Sequence, residues 1–203
     1  MMKLANLTSE NLIMLDATFD GRFAAINALV DKIDQAGKLT DRNQFLEAVL
    51  KREDEGPTAL GEYLAVPHGK SPAVKEPVFA CAFVKDEMQW KGLDGDEPVT
   101  MIFLLAIPPA EAGSTHMEVL TTLTSSLVDD DFRDQLQAAN SPQQVMALFG
   151  AEQEVESHAD QPAESAQDES NSTEELAQDL SRFAYPLVLG AGVLISAFLF
   201  LLL

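Results

Sequence analysis

Basic residues are scarce in this 203-residue chain, with 13 Lys and Arg against 33 Asp and Glu and a formal charge of -20. A surface of that sign repels a phosphate backbone, which excludes nucleic acid as the principal partner. Cysteine is scarcer still. Cys81 is the only one; it forms no internal disulfide and supplies no zinc cluster, and no positively charged leader precedes an apolar run at the start. The main body is therefore expected in the cytoplasm. Histidine occurs three times, at His68, His116 and His158, spaced by 48 and 42 residues with no H-E-x-x-H pattern, so no metal site is expected. The G-x-S-x-G elbow, the G-x-x-x-x-G-K-[ST] loop and the G-x-G-x-x-G fingerprint are missing too, and neither nucleotide binding nor any other cofactor is expected.

The acidic excess is uneven. Residues 1–150 mix 23 acidic and 12 basic side chains with periodic apolar positions, the composition of one globular domain that folds alone. Residues 151–180 hold ten Asp or Glu and no Lys or Arg; with little to bury, they are expected to form a disordered, solvated linker in which His158 has no fixed neighbour. Residues 181–203 end in 18 uncharged positions from Pro186, which as a helix would span about 27 Å, near the lower limit for crossing a bilayer. A membrane-inserted helix and a buried core helix are the two readings of that stretch. The polar linker before it favours insertion, with Phe183 and Tyr185 at the interface.

Within residues 1–150, a short apolar run at 13–15 reads as a strand, followed by a helical pattern through Phe23, Ile26, Leu29, Val30 and Ile33 that Gly37 ends. A second helix is predicted from Thr40 or Asp41 through Phe45, Leu46, Val49 and Leu50, with Lys51 and Arg52 in its last turn, before the Gly56-Pro57 break. The continuous runs VFACAFV from Val78 and VTMIFLLAI from Val99 read as central strands buried on both faces. A third helix is predicted from Thr115 through Leu120, Leu123 and Leu127, with shorter ones at 132–136 and 142–149. Buried strands alternating with helices predict an α/β sandwich.

Two histidines have settings that suit chemistry. His68 follows Ala65-Val66-Pro67 and precedes Gly69, so the ring sits where a strand ends, after a residue that fixes the backbone and before one that lets other groups approach. Functional residues favour such loops at strand ends, although a histidine satisfied by local hydrogen bonds fits the same pattern. Thr115 and Glu118 form a T-x-x-E capping box that places His116 at the first helical position. The field of a helix start favours an anion and a neutral imidazole there; a polar residue solvating the helix end is the alternative.

The stretch REDEGPTALGEYLAVPHGK, residues 52–70, resembles the active-site signature of the fructose/mannitol type of enzyme IIA domains of the bacterial phosphoenolpyruvate-dependent sugar phosphotransferase system. An acidic residue at Glu53, Leu60-Gly61, Leu64 and the block Ala65-Val66-Pro67-His68-Gly69 keep the family's order and spacing. The resemblance continues through Gln89-Trp90, LLAIPPAEAGSTHMEVLTTL and residues 129–133, covering about 8–149, and is strongest to the subgroup that includes the mannosylglycerate transporter. It implies a three-layer α/β/α sandwich with a mixed central sheet, here continued by the acidic linker and one C-terminal apolar helix.

The resemblance also implies an activity. His68 would accept a phosphoryl group from the phosphocarrier HPr and pass it to a cysteine of a IIB domain, serving a IIC membrane channel indirectly, which makes the chain a phosphotransferase. A neutral imidazole is a good nucleophile, and its phosphoramidate hands the group onward. Arg52, sixteen residues upstream, and His116 match the positions that stabilise the phosphoryl group, and Glu62 matches an acidic position that would orient a ring nitrogen or Arg52. Glu53 reads as a surface or helix-end charge, Thr58 as the cap of a short helix after Pro57, Trp90 as packing a strand end and Cys81 as an inert buried thiol. No IIB domain is expected within this sequence; the C-terminal segment would tether the domain to the inner membrane beside its partners. A tethered regulatory module whose His68 phosphorylation controls a partner is the alternative.

Overall fold

A computed structural model of the chain describes residues 4–109 and 114–158. Two 3-10 turns, Leu4–Asn6 and Glu10–Leu12, lead into β1 (Ile13–Ala17), α1 (Arg22–Gln35) and α2 (Arg42–Glu55). Two very short strands follow, β2 (Leu64–Ala65) and β3 (His68–Lys70), then the long hairpin of β4 (Val78–Lys91) and β5 (Asp96–Ile107), and the helices α3 (Ser114–Ser126), α4 (Asp130–Gln137) and α5 (Pro142–His158). The ends are set as the sequence predicts: the Asp41 carboxylate caps α2 by accepting from the Gln44 N–H at 3.0 Å, and Gly37 takes the left-handed conformation past α1, with φ 73°.

The sheet is mixed. Strand β1 runs parallel to β4, β4 is antiparallel to β5, and β2 and β3 lie end to end along the other side of β5, both parallel to it. Pro67, which has no N–H to give, falls at their junction, where its carbonyl accepts from Leu105 N–H. Alternation of side chains then builds two cores. Ala80, Ala82 and Val84 of β4 and Ile102, Leu104 and Ala106 of β5 pack with Ile26, Leu29 and Ile33 of α1 and Phe45 and Val49 of α2. Each large side chain buried there contributes about 1.5–3 kcal/mol relative to exposure. On the opposite face, Phe149 of α5 meets Phe79 edge-on at 5.4 Å and Phe103 at 6.4 Å, and Phe132 of α4 at 6.3 Å. Helices on both faces of one mixed sheet are the α/β/α sandwich expected.

Four details differ from expectation. Strands β4 and β5 continue past their apolar runs into a polar arm, 85–91 against 96–98, with a shift of register between Phe83 and Met88. Pairing there satisfies the backbone without needing apolar side chains. No helix follows Pro57; residues 58–66 form a closed loop instead, with Val66 N–H donating to Thr58 O and Leu60 N–H to Leu64 O. Helix α3 begins at Ser114, one residue before the expected start. Helix α5 runs past the boundary expected at 150 and takes in His158. Among the described residues, no helix is long and apolar enough to cross a membrane; the rest of the expected linker and the C-terminal apolar segment lie outside the described residues.

Candidate active site

The last turn of α2 and strand β3 form the site, and Gly69 sets their spacing. A Cβ on Gly69 would lie 2.7 Å from Val49 Cγ2, 3.1 Å from Val49 N and 3.2 Å from a Phe45 ring carbon, so only glycine lets helix and strand touch backbone to side chain here. Arg52, one turn beyond Val49, thereby reaches His68: its Nε–H donates to the ring Nε2 at 3.0 Å, and Nη1–H donates to Gly56 O at 3.2 Å. The other ring nitrogen, Nδ1, stands 3.0 Å from Val66 O. A carbonyl only accepts and a guanidinium only donates, so both partners demand the same neutral tautomer, with the proton on Nδ1 and the lone pair on Nε2. The residue is 5% exposed.

The next residue of α2 points elsewhere. Glu53 is 1% exposed, not the surface charge that its type suggested. Its Oε2 accepts from Thr58 Oγ1–H at 2.6 Å, and Thr58 Oγ1 accepts in turn from Trp90 Nε1–H at 3.0 Å. Arg22 Nη1 lies 3.7 Å from Oε1. Burial pushes the Glu53 carboxyl above the ordinary glutamate range, and the Thr58 hydroxyl and the Arg22 charge pull back against it. Thr58 is thus a bridge between a helix, a loop and a strand rather than a helix cap.

The chain matches the profile of the family described as "Phosphoenolpyruvate-dependent sugar phosphotransferase system, EIIA 2" over residues 6–151. The chain belongs to that family. Among curated relatives of this EIIA 2 domain, the PTS system 2-O-alpha-mannosyl-D-glycerate-specific EIIABC component of Escherichia coli is 49% identical over 149 residues, 73% of this chain and 23% of the relative. The PTS system fructose-specific EIIA component of Haloferax volcanii is 33% identical over 72% of this chain and 94% of its own length. The first two curated relatives are EIIABC components, and the chain spans 23% of each. Among solved structures, nitrogen regulatory protein IIA-Ntr from Neisseria meningitidis superposes with a TM-score of 0.65 at 25% identity, covering 72% of this chain and 98% of that one.

The remaining predicted residues of the EIIA 2 domain fall differently. Glu62 touches neither a ring nitrogen nor Arg52 among the described contacts; its carboxylate, on a side chain 72% exposed, meets Arg133 Nη2 at 3.4 Å. The reason is local: Gly61, Glu62 and Tyr63 all take positive φ (79°, 50° and 59°), and this left-handed turn carries Glu62 outward toward α4. His116 lies in the first turn of α3, as its third residue rather than the first, because the helix begins at Ser114; its side chain and those of the expected capping box lie outside the described residues. Cys81 is fully buried in β4, and desolvation pushes its thiol far above the normal range, in keeping with an inert side chain. Among the described residues, no cluster of His, Cys, Asp and Glu has the makings of a metal site.

Proposed function

We propose that this chain is a sugar phosphotransferase IIA carrier in which His68 accepts a phosphoryl group from phospho-HPr and yields it to a IIB cysteine, during uptake of a fructose-like sugar. The carrying observation is the guanidinium seated on the nucleophilic nitrogen: Arg52 Nε–H holds Nε2 at 3.0 Å while Val66 O holds Nδ1. The Nε2 lone pair attacks phosphorus, the bond to the donor breaks with its electron pair leaving on the donor, and the proton on Nδ1 stays in place, shared with Val66 O. For phosphorus to reach Nε2, Arg52 must move off the ring, which brings its planar fork onto the phosphoryl oxygens. His116, from the start of α3, is proposed as a second donor to those oxygens, favoured by the helix field. In the second transfer a thiolate attacks phosphorus and the pair returns to Nε2. A IIB partner is supported by the EIIABC relative, whose name joins A, B and C components. The site is proposed to work in the cytoplasm, held at the membrane by residues 181–203.

Incubation with enzyme I, HPr and labelled phosphoenolpyruvate is expected to give an acid-labile, base-stable label, and His68→Ala to abolish it. Full label in that variant would reject the assignment. The likeness to a nitrogen regulatory protein supports a second reading, a regulatory module; a labelled protein that discharges to no IIB while binding a regulator would favour it.

A further inference from the structure

We infer that Glu53 and Thr58 are positioning residues that fix the tautomer of His68, an inference resting on the proposed role of that ring. The geometry is a chain of four hydrogen bonds. Glu53 Oε2 accepts the Thr58 hydroxyl at 2.6 Å, Thr58 O accepts Val66 N–H at 2.9 Å, Val66 O stands 3.0 Å from His68 Nδ1, and Trp90 Nε1–H donates to the same Thr58 hydroxyl at 3.0 Å. Arg52 and Glu53 are neighbours on the last turn of α2. One reaches Nε2 directly; the other reaches Nδ1 through the base of the 58–66 loop. Both ends of the imidazole are therefore referenced to a single turn of helix.

The need for such a link is chemical. A carbonyl orients an N–H only if the carbonyl itself is fixed, and Val66 belongs to a connection between two strands that are two and three residues long, too short to hold it by sheet pairing alone. A buried carboxyl is also a costly anchor for a loop when an apolar residue would fill the space, and it is justified where direction matters, because a hydrogen bond has an angle and apolar packing has not. Without the link, Val66 O is free to turn and the Nε2–H form of the ring, which cannot attack phosphorus from Nε2, becomes populated.

The test reads the ring in the unphosphorylated full-length protein, by long-range proton–nitrogen correlation of His68 at neutral pH, with the signal assigned by its loss in His68→Ala. Wild type is expected as the Nδ1–H tautomer. Thr58→Val, which keeps the shape and removes the hydroxyl, is expected to shift the ring toward Nε2–H and to slow phosphotransfer about three- to tenfold, in proportion to the lost population of the competent form. Thr58→Ser and Glu53→Gln, which keep a hydroxyl and an acceptor, are expected to retain the wild-type tautomer. An unchanged tautomer in folded Thr58→Val overturns the inference. If that variant does not fold, Trp90→Phe, which removes only the indole donor to the hydroxyl, is judged by the same criterion with a smaller shift expected. The two proposals fail separately: a shifted tautomer with label retained in His68→Ala would sink the phosphoacceptor and leave the positioning link standing.

Discussion

Arg52 and Arg133 both lie on helices and both lean on backbone carbonyls, yet their surroundings differ in kind. Arg133 donates to Leu127 O at 2.7 Å and Val128 O at 2.9 Å through Nη1, and to the carboxylates of Asp130 and Glu62 through Nη2. Arg52 donates to one carbonyl and one neutral ring nitrogen, and no carboxylate among the described residues comes within 4.0 Å of it. A guanidinium already matched by anions has little left for a newcomer. One facing a neutral ring keeps its charge and its fork available, as the proposed phosphoryl transfer requires, in a half-buried setting where that charge counts for more than in water.

The sharpest way to break the comparison is to exchange the consequences of losing each. Arg52→Ala is expected to slow phosphotransfer by roughly ten- to a thousandfold with the fold intact, the usual cost of losing a donor to the transition state. Arg52→Lys, keeping charge without the planar fork, should recover only part of that rate. Unchanged single-turnover kinetics in Arg52→Ala would remove it from the site. Arg133→Ala should do the reverse, leaving the buried carbonyl of Leu127 unpaired and costing about 1–3 kcal/mol in urea unfolding, with the rate per folded molecule preserved. Smallest of all, Glu62→Gln changes only the exposed, long-range member of the pair with Arg133 and should change stability by no more than about 0.5 kcal/mol, with transfer unaffected. A rate loss there approaching that of Arg52→Ala would restore Glu62 to the orienting role its sequence position implied.

How much of this was legible beforehand depends on whether side-chain type or backbone partner made the decision. Apolar spacing placed α1 and α2 because their buried stripes, Ile26 to Ile33 and Phe45 to Val49, carry most of the packing. The hairpin arm at 85–91 was invisible because strand pairing fixed it and its side chains are mostly polar; Trp90, 1% exposed, turns back inside, with Met88 partly buried against the same core. Glu53 was misjudged by its charge, although Phe45, Val49 and Glu53 recur every four residues on one stripe, and that periodicity held the signal of its burial. The outward course of Glu62 depends on three consecutive left-handed residues, for two of which, Glu62 and Tyr63, residue type gives no cue. The proximity of Arg52 and His68 came through the resemblance, since a sixteen-residue separation says nothing by itself about contact.

A hydrogen atom in place of a methyl group at position 69 governs how near the helix comes to the strand. Since no rotamer change can widen or narrow a gap set that way, the spacing of the two backbones that carry Arg52 and His68 is fixed once the domain has folded. In the proposed transfer, the encounter then has to deliver phosphorus and turn the guanidinium from the ring onto its oxygens, with no shift of helix against strand.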